Sequence, residues 1–202
     1  MRGPRSRSLL SSALLVLLFG LGVSARAADH QILLRTGAVN ALIGGVKGID
    51  PFTTAPVIDG EFEFLHDSKK SRLVHITFAQ EMKTAQTKYY YTGYGERFYL
   101  FGTSGKSIDS IDNSGLVQIR GTRRYFIDWE FGLGQLQART INLSLNLTST
   151  VIEAGGAAGM MLSLGKNWGL VIQAGAGYAY GISSVTVSGA ILRALLGVTY
   201  YL

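Results

Sequence analysis

Residues 140–148 read Thr140-Ile141-Asn142-Leu143-Ser144-Leu145-Asn146-Leu147-Thr148, polar and apolar side chains in strict alternation. A helix brings residues three and four apart onto one face. Only an extended strand puts every second side chain on the same side. This stretch is therefore a strand between two environments. Residues 117–133 repeat the pattern over a longer span. Val117, Ile119, Tyr125, Ile127, Trp129, Phe131 and Leu133 share one face. Gln118, Arg120, Thr122, Arg124, Asp128 and Glu130 share the other, with Phe126 as the exception.

Weaker copies flank these two. Ile58, Phe62 and Phe64 oppose Asp59, Glu61 and Glu63, and Val74, Ile76, Phe78 and Met82 oppose His75, Thr77, Glu81 and Lys83. Further on, Leu170, Ile172, Ala174, Ala176, Tyr178 and Tyr180 alternate with Gln173 and glycines. Leu192, Ala194, Leu196, Val198, Tyr200 and Leu202 alternate with Arg193, Gly197 and Thr199. Residues 88–101 are rich in Tyr and Phe on both faces, so their direction is not readable. Eight strands result, at about 57–66, 72–84, 88–101, 117–134, 139–152, 157–165, 168–181 and 185–202. Most reach the roughly 9–11 residues that a tilted strand needs to cross a bilayer. Residues 28–56 stand apart as an extra strand, a plug or a tail. The longest polar connection, 102–116, follows the third strand of this count, and the tight turn Gly165–Asn167 follows the sixth. With both termini periplasmic, that places long loops outside and short turns inside.

The first 27 residues are of another kind. Arg2, Arg5 and Arg7 precede a mostly apolar run from Leu9 to Val23, and Ala25-Arg26-Ala27 supplies small residues where a signal peptidase reads. This is the layout of a secretory signal cut after Ala27. It also explains the basic balance. Of 19 basic residues four lie in this leader, which leaves 15 against 13 acidic ones in residues 28–202. No basic face for nucleic acid remains. Cysteine is absent, so there is no disulfide frame and no thiolate chemistry. Mean hydropathy is +0.23, yet no run of eighteen apolar residues follows the leader, which points away from a membrane helix.

Alternation alone fits a soluble barrel of the lipocalin type, with its apolar face inward, as well as a membrane barrel, with its apolar face outward. The charge on the polar face favours the second. It carries His75, Glu81, Lys83, Arg120, Arg124, Asp128, Glu130 and Arg193, of mixed sign and able to pair across a lumen. Aromatic residues near the strand ends, Tyr99, Phe101, Trp168, Tyr178, Tyr180, Tyr200 and Tyr201, read as a girdle at the lipid boundary. The expected fold is all-β, a transmembrane antiparallel up-and-down barrel over residues 57–202.

The segment Tyr94-Gly95-Glu96-Arg97-Phe98-Tyr99-Leu100 resembles the Gly-x-Arg-aromatic-Tyr stretch of small bacterial outer-membrane barrels, the superfamily of OmpA-type and OmpW-type proteins. The ending Gly197-Val198-Thr199-Tyr200-Tyr201-Leu202 resembles their C-terminal assembly signal. Gly197 is followed by hydrophobic Tyr200 and Leu202, with Leu at the end where Phe is commoner. The resemblance implies an outer-membrane location, contact with outer-membrane lipid and lipopolysaccharide, and insertion by the barrel-assembly machinery.

Chemistry is sparse. His30, His66 and His75 have no second histidine or carboxylate at metal-site spacing, and no glycine run opens a helix after a strand. A barrel-type lipid A deacylase would carry His-x-Ser, but here His75 is followed two residues later by Thr77. Arg123 and Arg124 fall on opposite faces and cannot act together. The sequence thus implies no cofactor, metal or catalytic residue. The expected role is a non-enzymatic barrel with a side-chain-filled lumen, serving envelope integrity or surface contact. The alternatives are a narrow channel for small or apolar solutes, a lipid A-modifying enzyme, or a soluble carrier.

Overall fold

The computed structural model describes residues 30–44, 54–66, 69–81, 87–101, 108–109, 118–119, 123–139, 146–164, 167–182 and 187–202. The leader of residues 1–27, Lys83 and Arg120 lie outside them. Eight long strands make the fold: β1 (His30–Gly44), β2 (Thr54–Leu65), β3 (Lys70–Gln80), β4 (Thr87–Phe101), β5 (Arg123–Arg139), β6 (Asn146–Ser163), β7 (Trp168–Gly181) and β8 (Ser188–Tyr201). Each pairs antiparallel with its neighbours in the chain, and β1 pairs with β8, so the sheet closes on itself. Closure leaves no strand edge, which a lipid environment requires because it offers no water to unpaired backbone groups.

The strands divide their side chains as a soluble barrel does not. Ile58 is 65% exposed and Phe131 51%, while Arg97 is 0% exposed and Arg124 1%. Apolar residues face out and charged residues face in. Placing the large hydrophobics in water would cost more than the fold could recover, so the outer surface belongs in lipid. The band is readable on β3, where outward Val74, Ile76 and Phe78 lie between outward Arg72 and Gln80. At a rise of about 3.3 Å per residue and a tilt of about 40° this spans roughly 20 Å, close to the ~25 Å apolar height of such barrels. At its lower border Lys70 pairs with Glu96 at 3.0 Å and lies over the Phe98 ring.

Three expectations change. The barrel begins at His30, so the segment set apart as 28–56 contributes a full closing strand. The two segments 139–152 and 157–165 are one strand, β6. Its middle, Ala154 to Gly159, is small residues with no alternation of size, which read as a break. Finally, β5 begins at Arg123, and Gln118–Ile119 instead pairs with Ile108–Asp109 in a short separate ribbon.

One gain and one merger preserve the count of eight but alter the sidedness. The connection 102–122 follows β4, not the third strand, and joins strand ends on the side that holds both termini. The other connections on that side, 66–69 and 164–167, are short. Those at the far end, 45–53, 81–86, 140–145 and 182–187, are of intermediate length. The longest connection therefore sits with the termini, the reverse of the arrangement that the sequence suggests.

Because the chain has no cysteine, this sidedness is directly testable. With the termini on the periplasmic side, Lys47→Cys reacts with a membrane-impermeant maleimide on intact cells. Ser110→Cys reacts only after the outer membrane is opened. Labelling of Ser110→Cys on intact cells would invert the orientation.

Candidate functional site: the barrel lumen

The inward positions converge on a buried ionic network, with Arg97 of β4 at its hub. Its guanidinium meets Glu61 Oε1 at 2.6 Å, Glu63 Oε2 at 2.8 Å and Asp128 Oδ2 at 2.8 Å, and it stacks 4.1 Å from the Phe126 ring centre. Phe126, which breaks the alternation of its strand, is therefore the floor on which Arg97 rests. Arg35 of β1 donates from Nε to Asp59 at 2.8 Å and pairs with Glu61 at 2.7 Å. Arg193 of β8 bridges Glu130 and Glu153.

Hydroxyls and amides complete the set. Thr77 donates to Asp59 at 2.6 Å, Tyr99 donates to Glu63 at 2.5 Å, Ser71 donates to Glu63, and Tyr89 donates to Glu153. Gln173 of β7 donates to Asp128 at 3.2 Å and accepts from Arg35. Three arginines thus hold six carboxylates, and all eight strands contribute a member. In a medium of low polarity each charge needs its partners, because neither ion alone could bear the loss of water.

His75 lies at the centre, with Nδ1 3.8 Å from Asp59 Oδ2 and Nε2 3.3 Å from Glu130 Oε2. Beside it a cavity of about 10 Å³ is lined by Arg35, Asp59, His75, Glu130, Gln173 and Arg193, and backed by glycines and alanines of β6 and β7. That is about the room one water needs. Toward the termini the lumen is closed by Leu33, Met161, Val171, Tyr99 and Phe126, with the Arg124 guanidinium 5.0 Å from the Tyr201 ring. Toward the far end its character changes. Val39, Ala41, Ala55, Ala79, Leu136, Val151, Ala179, Val187 and Ile191 form a continuous apolar ring.

Of the lumen residues expected from sequence, His75, Glu81, Arg124, Asp128 and Glu130 are buried inside the barrel, and the part-buried Arg193 faces in to meet Glu130 and Glu153. Sequence reasoning missed Arg35, Arg97 and Glu153, and it placed Asp59, Glu61 and Glu63 on a polar face without assigning them a role. Arg97 was hidden because β4 carries tyrosines on both sides. Inward Tyr89, Tyr91 and Tyr99 face outward Tyr90 and Tyr94. The expected girdle is corrected in the same way. Tyr99 and Tyr201 point inward and are 3% exposed, whereas Phe101, Trp168, Tyr178 and Tyr180 face out as expected. Of the residues expected to form a C-terminal assembly signal, Tyr200 packs outward against Trp168 with ring centres 4.7 Å apart. Gly197 has a packing reason of its own, since a Cβ there would meet the Leu34 carbonyl oxygen at 2.0 Å.

The network is built for holding, since each acid is engaged by a cation or a hydroxyl. Ser71, a potential nucleophile, is bound to Glu63 and not to His75. Among the described residues no group of three metal-ligating side chains converges.

No protein-family model matches the chain, and no curated protein sequence matches it. Solved structures do match in fold. The chain is similar to Neisserial surface protein A (11% identity, TM-score 0.61), the match covering 85% of this chain and 96% of that one. It is similar to the N-terminal β-barrel domain of OprF from Pseudomonas aeruginosa (14% identity, TM-score 0.52), covering 87% and 98%. It is also similar to Ail, the attachment invasion locus protein of Yersinia pestis (14% identity, TM-score 0.50), covering 88% and 100%. The fold is that of small outer-membrane β-barrels.

Cutting the hub leaves Glu63 and Asp128 without a guanidinium. Arg97→Ala should cost about 3–5 kcal/mol, the usual penalty for orphaning one side of a buried pair. That lowers the midpoint of the heat-induced gel-mobility shift by roughly 10 °C. Arg97→Lys, which keeps the charge but not the fork, falls between. A midpoint unchanged in Arg97→Ala would mean that the network does not support the barrel.

Proposed function

We propose that this chain is a non-enzymatic outer-membrane barrel, exported with cleavage of residues 1–27, that serves the integrity of the envelope and passes no solute through its lumen. The observation that carries this reading is the network on Arg35, Arg97 and Arg193. It crosses the lumen, with Arg97 joining β4 to β2 and β5 through ion pairs of 2.6–2.8 Å and Arg193 joining β8 to β5 and β6. An eight-stranded barrel has an interior just wide enough for side chains, and here charged ones occupy it. The channel reading requires these pairs to part, which in a poorly solvated interior costs several kcal/mol each.

The far-end connections are of modest length, which limits the sequence available for contact at the cell surface. Ail, one structural neighbour, is named for attachment and invasion, so surface contact stays a second role consistent with this architecture. Lipid and lipopolysaccharide would cover the outward apolar band, and the barrel-assembly machinery would read Gly197, Tyr200 and Leu202.

Five measurements test this. The mature protein begins at Ala28, resides in the outer-membrane fraction, and shifts in gel mobility only after boiling. In planar bilayers it shows no discrete conductance steps, while a strain lacking it becomes sensitive to detergent. Discrete steps from the wild-type barrel would replace this reading with transport.

A further inference from the structure

The apolar ring at the far end of the lumen has a composition that a water-filled mouth does not call for. Inward residues of outer-membrane barrels are ordinarily polar, because water reaches them. Here most of the side chains around the far end are small and apolar, with Glu81, Thr87 and Tyr89 also in the lining. Ala41, Ala55, Ala79 and Ala179, with Gly189, leave open space between Val151 and Ile191. The described residues enclose a cavity there of about 40 Å³. That is about three to four times the space one water needs, but its walls offer water almost no partner, and apolar cavities stay dry or take apolar guests.

At its inner edge the cavity meets the ionic network. Tyr89 forms part of its lining and donates its hydroxyl to Glu153, which is in turn held by Arg193. The inner edge is therefore the upper edge of the ionic network, whose ion pairs would have to part before a guest could pass on. The shape also limits the guest. An eight-stranded barrel is only side-chain wide, so the space admits one narrow, flexible chain rather than a fused ring system.

We propose that the far end of the lumen is a binding site for the end of a single unbranched alkyl chain, as in a single-chain amphiphile, whose polar head stays outside the mouth. The site binds and does not transport. Alanine positions supply the volume, and the Tyr89–Glu153–Arg193 chain sets the depth.

The test uses the whole mature barrel in phosphatidylcholine nanodiscs, with carbon-13-labelled Ala, Val, Ile and Leu methyls and 1-octanol as the probe. The proposal expects saturable shifts at Ala41, Ala55, Ala79 and Ile191, with cross-relaxation from octanol protons. Leu33 and Val171, sealed at the other end, stay unmoved, and lipid-facing Ile58 and Ile76 drift without saturating. Ala55→Phe, which fills the cavity, weakens the saturable component at least tenfold while the heat-induced mobility shift persists. Ala179→Leu serves the same purpose should Ala55→Phe fail to fold. Three results overturn the proposal. The ring methyls could drift in step with Ile58 and Ile76. The saturable shift could survive both filling variants. Or, without octanol, the ring methyls could already cross-relax to side chains of residues 45–53, such as Phe52, so that the chain fills its own mouth.

Discussion

The guanidinium of Arg97 and its three carboxylates, from β2 and β5, are the contact on which the rest of the barrel leans. A closed sheet in lipid has no hydrophobic core in the usual sense, because its apolar side chains already rest in an apolar solvent. What must be solved is the interior. A lumen this narrow holds too little water to solvate six carboxylates, so each acid has to be met by protein. Arg97, Arg35 and Arg193 do so in ladder fashion, Glu61 being shared by Arg97 and Arg35. The planar fork of arginine suits this sharing, since it presents several donors in fixed directions to more than one oxygen.

The same constraint explains the wall opposite the hub. Between Glu153 and Gly159, β6 is nearly all glycine and alanine, and β7 beside it runs Ala174-Gly175-Ala176-Gly177. Inward side chains from that wall would compete with the arginines for space. A Cβ at Gly177 would meet a Glu153 carboxylate oxygen at 3.1 Å. Small residues on one side are the geometric counterpart of large charged ones on the other.

The lumen is therefore asymmetric along its axis: sealed near the termini, ionic at mid-height and apolar at the far end. The ionic layer explains closure. The apolar layer belongs to no part of that task, which is why it invites a guest of its own. The sidedness of the chain adds a second asymmetry. Its longest connection lies with the termini, opposite the connections of intermediate length at the far end.

Period-two alternation was enough to determine that the chain is a set of strands with one charged and one apolar face, about eight in number, because side-chain direction in a strand is a local property. Stretches such as 123–133 and 146–152 carry that signal in single residues. Where both faces carry tyrosine, as on β4, or neither carries size, as in the middle of β6, the local signal vanishes and direction or continuity is lost. The first strand, His30–Gly44, was legible only as one option among three. What holds it is pairing with Glu63 and Asp59 of β2 on one side and Thr199 and Gly197 of β8 on the other, a closure made between opposite ends of the chain. Which acid meets which arginine was likewise decided only by tertiary structure. Arg97 reaches Glu61 across β3, and Arg193 reaches Glu130 across the lumen. Such pairings depend on the curvature and stagger of the closed sheet, and no sequence spacing encodes them.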